Sequence, residues 1–324
     1  MRTFIRAAAA LLLAVGLAPA HAASDFPKEH PINWIVPYPA GGGTDIVART
    51  LQVGMSKTLG QDIVVQNKPG AATAIGAEFV AHSKADGYTL LSADTATLSA
   101  NPPLYPHLGY DPQRDFAPIG MMARFNMILV VNPSIPVHDM KEFIAWVKAQ
   151  KHGVQYATPG TGSPHHLAGA LFALRTGLDL VNVPYRGAAP AIQDVMSGQV
   201  PVMFVDSASG KQYIADGKLR ALAVASKKRL DILPNVPTLI ESGRPGFEAY
   251  AWQGLVAPKG TPEDVVNKLN EALNETLKSP DVIAKFKGLG LEITPSTPRQ
   301  LDDYARAERT KWTKVIKDAH ITIE

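Results

Sequence analysis

Short runs of β-branched and aliphatic residues alternate with helical patterns along nearly the whole chain, and this alternation limits the fold more than any other feature. Candidate strands fall at Ile32–Val36, Ile63–Gln66, Tyr88–Ser92, Met127–Val131, Val154–Ala157, Leu180–Val183, Val202–Val205, Leu219–Ala225 and Ala251–Ala257. Helix starts are written between them. Asp139 to Glu142 has capping-box form and opens a helix over Phe143–Gln150. Thr261 to Asp264 and Thr297 to Gln300 each place Pro at the first helical position and an acid or amide at the third. Ser279-Pro280 opens a further helix to about Lys287. From Thr44 to Leu59, the residues Val47, Leu51, Met55 and Leu59 recur at i, i+4 spacing, a stripe that packs on a sheet. The most charged pattern, Pro298 to Ala319, is expected to wrap the outside of a lobe. Strands and helices in alternation imply parallel pairing and an α/β protein.

A length of 324 residues exceeds what one core usually organises, so two lobes are expected. Arg2 and Arg6 precede an unbroken small and apolar run from Ala7 to Leu17, Pro19 breaks it, and Ala20-His21-Ala22 offers small residues to a signal peptidase. That is the plan of a secretory leader over residues 1–22, cut after Ala22. The run falls well short of the ~20 residues a spanning helix needs, and no other stretch is apolar enough to cross a bilayer. With no Cys there is no lipid-anchor site, no disulfide, no thiolate nucleophile and no Cys-based metal site. The formal charge of +3 shrinks without the leader, which carries two of the 32 basic residues and no acid, leaving 30 against 29. So even a balance excludes the electrostatic footprint of a nucleic-acid binder.

Three loops follow strands and run directly into helix starts, the place where parallel α/β sheets bind ligands. The first spans Pro37 to Asp45. Gly41, Gly42 and Gly43 let the backbone approach a ligand closely, and the following helix start offers free N–H groups to an anion. Tyr38, Ala40, Gly42, Gly43, Thr44 and Asp45 are its candidate binding residues; Thr44 and Asp45 can equally cap the helix, and Asp45 can pair with Arg49. No Gly-Lys-Ser/Thr follows, and Ile46 fills the last position of any G-x-G-x-x-G frame, so this is not a phosphate or dinucleotide loop. The second, Thr158 to His165, offers Thr158, Thr161, Gly162, Ser163 as N-cap, and His165. Ser163 and His165 raise a hydrolase reading, but Thr161 stands where a nucleophile elbow needs its first Gly and Pro164 follows directly. His165 and His166 point about 100° apart on a helix, which suits no metal pair. The third, Val183 to Pro190, offers Tyr185, Arg186 and Gly187 before a helix at Ala191–Met196. Two weaker candidates are the hydroxyls of Thr95 and Thr97 after the third strand, and Asp206, which orients a ligand or caps the next helix. No paired carboxylates, triad or metal spacing stands out, so no catalytic residue, cofactor or metal is expected.

Taken together the ordered motifs are familiar. Pro37-Tyr38-x-x-Gly41-Gly42-Gly43-x-Asp45-x-x-x-Arg49 is followed by Val64-Val65-Gln66-Asn67-Lys68-Pro69-Gly70-Ala71 and Asp86-Gly87-Tyr88-Thr89-Leu90-Leu91. Tyr110-Asp111-Pro112-x-x-Asp115-Phe116-x-Pro118-Ile119 comes next, then Gly162-Ser163-Pro164-x-His166-Leu167-Ala168, Val183-Pro184-Tyr185-Arg186-Gly187 and Asn235-Val236-Pro237-Thr238. The chain resembles the Bug-type substrate-binding proteins of tripartite tricarboxylate transporters over essentially its whole mature length. The resemblance implies a type II periplasmic-binding fold: two lobes, each a mixed sheet flanked by helices, joined by two crossing strands and closing on a ligand. It implies a small carboxylate (dicarboxylate, tricarboxylate, amino acid or aromatic acid) held by main-chain amides and ordered waters at Tyr38–Asp45, Thr95–Thr97 and Thr161–Ser163, and delivery to integral membrane transporter subunits. The expected lobes are residues 23–124 plus 228–324, and 125–227, in a periplasmic monomer. The sequence departs from the family pattern at Ala72-Thr73, where glycines are frequent, and at Val205-Asp206-Ser207, where Phe often precedes the Asp. Two other readings use the same residues: a ligand sensor for a membrane receptor, and a serine hydrolase using Ser163.

Overall fold

The computed structural model describes residues 26–323; the leader and its expected cut lie outside the described residues. In chain order the elements are β1 (Ile32–Val36), α1 (Gly43–Leu59), β2 (Ile63–Asn67), α2 (Ala74–Ala81), β3 (Thr89–Asp94), α3 (Asn101–Leu104), β4 (Phe116–Val131), α4 (Met140–Lys148), β5 (Val154–Thr158), α5 (Pro164–Thr176), β6 (Leu180–Pro184), α6 (Ala188–Ser197), β7 (Val202–Asp206), α7 (Ser207–Ala215), β8 (Arg220–Val224), β9 (Tyr250–Pro258), α8 (Glu263–Leu277), α9 (Pro280–Gly288), β10 (Leu291–Ile293) and α10 (Pro298–Asp318). Of the nine strands read from the sequence, eight form within two residues of their expected ends; the exception is β4, which begins eleven residues early. Pro118 and Gly120 hid that extension, since neither suits a regular strand, and the pairing of β4 with β9 shifts register between them.

The strand order is β2-β1-β3-β9-β4-β7-β5-β6, with β8 and β10 also on β4. Parallel pairing holds at both ends, β2-β1-β3 and β6-β5-β7, where helices make the crossovers. It fails in the middle. β9 runs antiparallel to β3 and β4, and β7 and β8 run antiparallel to β4. The stretch from β8 to β9 contains no helix, and each of the two strands pairs antiparallel with β4. This mixed sheet flanked by helices is a type II periplasmic-binding-protein fold.

Local chemistry explains the ends of several helices. Asp139 caps α4 by accepting the Glu142 N–H at 2.8 Å, and Thr297 and Gln300 form a full capping box at α10. The start of α8 differs from expectation: the Thr261 hydroxyl donates to the Pro258 carbonyl at 2.7 Å, so the helix begins at Glu263 with Pro262 as N-cap. α2 carries no start signal of the kind sought, whereas α7 starts at the cap that Asp206 was expected to supply. α2 follows three residues with positive φ, Ala71, Ala72 and Thr73, and α7 is capped by Asp206, which accepts the Ser209 N–H at 2.9 Å.

Packing also corrects the expected place of α10. Its Leu301 and Ala305 lie in a core with Ile35, Leu91 and Trp252, while its Trp312, Val315 and Ile316 lie in another with Phe143, Phe172 and Phe204. The helix therefore ties two cores together and does not wrap one. Between its two contact patches sits Glu308, whose Oε2 accepts both indole N–H groups, Trp312 at 2.8 Å and Trp252 at 3.3 Å. Among the described residues no helix is long and apolar enough to cross a membrane.

Removing the Glu308 carboxylate strands two buried indole donors, each worth about 1–3 kcal/mol when unpaired. Glu308→Ala is expected to lower stability by about 3 kcal/mol and Glu308→Gln by less, because the amide keeps an acceptor. Urea denaturation followed by tryptophan fluorescence checks both; equal losses for Ala and Gln would contradict the acceptor argument.

Candidate functional site

The loop from β1 to α1 owes its shape to one carboxylate. Asp45 is buried at 3 % exposure; its Oδ2 accepts the Gly41 N–H and Arg49 Nε, each at 2.9 Å, and its Oδ1 accepts Asn67 Nδ2 at 2.9 Å. Burial alone lifts the carboxyl pKa, but the bonds from Arg49, Gly41 and Asn67 outweigh it and hold Asp45 below the ordinary range. Asp45 is therefore an organiser of the loop, with every partner inside the protein. Gly41 has φ +83°, a conformation that favours glycine. Gly43 fits only without a side chain, since a Cβ there would lie 2.7 Å from the Phe125 ring of β4.

Gly42 is the N-cap of α1 and offers no capping side chain, so the first-turn amides have neither an intrahelical acceptor nor a cap. Ala40 and Gly42 stand exposed at the loop tip. Thr44 does not cap the helix; its Oγ1 accepts Gln253 Nε2 from β9 at 2.7 Å. Gln253 is buried, and its Oε1 has no partner. In the sequence Gln253 is marked only as an amide inside the apolar run of β9.

Beside this loop, β3 ends in Asp94 and a π-helical turn at Ala96–Ala100. The Tyr38 hydroxyl donates to Asp94 Oδ2 at 2.5 Å, and the Thr97 amide donates to Asp94 Oδ1 at 2.9 Å. The Thr97 hydroxyl sits 2.8 Å from Asp94 Oδ1 and 2.9 Å from the Thr73 hydroxyl, and Thr95 Oγ1 accepts the Trp252 N–H at 3.2 Å. Burial pushes Asp94 above its ordinary value against the pull of these bonds, and burial followed by the Asp94 charge pushes the Tyr38 phenol well up. Thr95 and Thr97 are wholly buried parts of the frame.

The second loop comes from the other end of the sheet. Ser163 Oγ accepts the His166 N–H at 3.3 Å, a helix cap, and the Gly162 N–H donates to His166 Nδ1 at 3.1 Å. His165 Nε2 lies 3.3 Å from Asp206 Oδ2, and His165 Nδ1 is buried without a partner. Burial raises the Asp206 pKa, but the His165 contact and the Ser209 amide outweigh it and leave it depressed. Ser163 caps and His165 faces Asp206, so the hydrolase pairing of the two is not built. Thr158 donates to Asn182 Oδ1 at 2.8 Å, and Thr161 borders a cavity shared with Tyr156, His166 and Ile321.

Contacts of the first two loops run toward the middle of the sheet without joining the loops to each other. A Cβ on Gly162 would lie 2.5 Å from Leu104, just beyond the Thr95–Thr97 turn, Gly43 abuts Phe125, and Asp206 pairs with Met127 two residues along the same strand. The third loop stays behind the second. The Tyr185 hydroxyl donates to Asp194 at 2.7 Å, the Gly187 N–H donates to the Pro159 carbonyl at 3.2 Å, and Arg186 is exposed. Among the described residues no three His, Cys, Asp or Glu are placed to hold a metal.

Burial lowers His166 to about 4, below the ordinary histidine value of about 6.5. Above pH 6.5 both folded and unfolded chains hold a neutral ring; as pH falls toward 4 only the unfolded chain gains the proton, so stability is lost across that window. The shift corresponds to about 3 kcal/mol at most. His166→Asn is expected to flatten the fall in melting temperature between pH 6.5 and 4; an unchanged slope would contradict a buried neutral ring.

Comparison with known proteins places the chain in a family. The family model of the tripartite tricarboxylate transporter family receptor matches residues 47–321. Protein BugT of Bordetella pertussis (strain Tohama I) is 37% identical over 304 residues, covering 94% of this chain and 93% of its own. A Rhodopseudomonas palustris protein solved with adipate superposes with a TM-score of 0.86 at 33% identity, over 92% of this chain and 99% of that one. MatC from the same organism, solved with malate, gives a TM-score of 0.81 at 34% identity, over 89% and 99%. With more than two thirds of its length matched in each case, the chain belongs to the Bug-type, or TctC, family of periplasmic substrate-binding receptors, which are transport proteins and not enzymes.

Proposed function

We propose that the chain captures a small dicarboxylate between two lobes, residues 23–124 plus 228–324 and residues 125–227, and delivers it to the membrane subunits of a tripartite tricarboxylate transporter. The observation that carries this reading is the uncapped start of α1, where Gly42 supplies no side chain and the first-turn amides point their partial positive charge outward. A carboxylate satisfies those amides better than a neutral group does. Two similar proteins, solved with adipate and with malate, support a dicarboxylate.

In this reading Tyr38, Ala40, Gly42, Gly43 and Thr44 border the carboxylate from the first lobe, with Asp45, Thr95 and Thr97 fixing the loops that carry them. Gly162, Ser163, His165 and Asp206 approach from the second lobe, and Thr158, Thr161, Tyr185 and Gly187 support that side. Closure is a hinge motion about β4 and β9, selected because the ligand touches both lobes. Buried Gln253 Oε1 and His165 Nδ1, unpartnered in the protein, suit a ligand hydroxyl or an ordered water.

A thermal-shift screen tests the assignment. A dicarboxylate at 100 times its dissociation constant adds ~2.7 kcal/mol of stability. Thr44→Val, which removes one hydroxyl from the rim of the site, is expected to weaken binding by roughly five- to tenfold, in line with the ~1 kcal/mol of a single hydrogen bond. If neutral solutes raise the melting temperature while no carboxylate does, the anion site at α1 is wrong.

A further inference from the structure

A second cavity lies away from the α1 loop, and the proposed function leaves it unused. Its volume is about 650 Å³, within the range of roughly 300–1,000 Å³ of small-molecule sites. Its walls come from five parts of the chain: β4, β9, α5, α10 and the turn after β8. Arg124, Arg175, Lys227, Lys311 and Lys314 face it. Three carboxylates share the lining, Glu248, Glu308 and Asp318.

The ordinary account of such a surface is a set of ion pairs that neutralise one another. It does not hold here in full. Glu308 already accepts two indole N–H groups, and Lys311 lies 3.4 Å from its other oxygen. Lys227 approaches Glu248, and Arg124 approaches Glu292, only to 3.7 Å, while Lys314 is paired tightly with Asp318 at 2.6 Å. Arg175 has no carboxylate within 4 Å among the described residues; its one bond is to the Pro245 carbonyl at 3.5 Å. Arg124 is held ready: its guanidinium carbon lies 5.3 Å from the Tyr250 ring centroid and 5.0 Å from that of Tyr304, and its buried Nε has no partner. A guanidinium fixed over aromatic rings loses little freedom when it grips an anion.

We propose that this cavity is a second ligand site, for a small polyanion carrying two or more carboxylate or phosphate groups. One charge satisfies one of the loosely paired cations; two are needed to engage Arg124 on β4 together with Arg175 on α5, or to draw Lys314 on α10 away from Asp318. An occupant linking those elements spans the joint between the two ends of the sheet.

Titration of the mature protein with citrate and with inorganic pyrophosphate, by calorimetry at low salt, tests this and separates the carboxylate and phosphate sources. Arg175 and Lys314 are exposed, so Arg175→Gln with Lys314→Gln leaves the fold intact, which an unchanged melting temperature checks. Binding of at least one of the two anions is expected, weakened tenfold or more in the double variant and unchanged by Thr44→Val. The affinity also falls as salt rises. No binding of either anion at millimolar concentration, or binding that Thr44→Val weakens and the double variant does not, overturns the proposal.

Discussion

Backbone pairing along one strand holds the molecule in its arrangement. β4 bonds to β9 and β10 through its first part and to β7 and β8 through its second, so the two parallel ends of the sheet are joined through its length. Residues along β4 also border both candidate loops. The Phe125 ring sets how closely α1 can start, and Met127 pairs with the Asp206 that caps α7 and faces His165. A shift of one residue in this strand would exchange its two faces and move both loops off target.

Around that strand, buried carboxylates fix the loops in place of disulfides. Asp45 ties the glycine loop to Arg49 and Asn67, Asp94 ties Tyr38 to the Thr97 turn, and Asp206 ties α7 to His165. Each accepts bonds from at least two directions; at Asp45 and Asp206 these outweigh the cost of burying the charge, and at Asp94 they offset only part of it. The result is a pair of rigid rims whose remaining donors are backbone amides at an uncapped helix start. Rigid donors suit recognition, since little ordering is left to be done when the ligand arrives.

Much of this was legible in the sequence, for reasons that differ by element. Strands such as Ile32–Val36 announce themselves because β-branched runs between turns have few alternatives, and caps such as Thr297 because their chemistry is local. The first half of β4 was not legible, since Pro118 and Gly120 are tolerated only through a register shift that depends on β9. The loops at the helix starts form where the sequence places them, but the duties of their side chains were not legible. Asp45, Thr97 and Tyr185 read as ligand contacts, yet their partners Asn67, Thr73 and Asp194 lie 22, 24 and 9 residues away. Gln253 was missed for the same reason: its meaning comes from Thr44, on a helix 209 residues earlier.

The path of α10 bears on how the chain is made. Because Leu301 and Ala305 belong to one core and Trp312, Val315 and Ile316 to another, neither core is fully packed until residues 298–318 have emerged. Synthesis proceeds from the N-terminus, and domains ordinarily compact as they appear. Here one late-made helix supplies both cores, so the two reach full packing together and not one after the other.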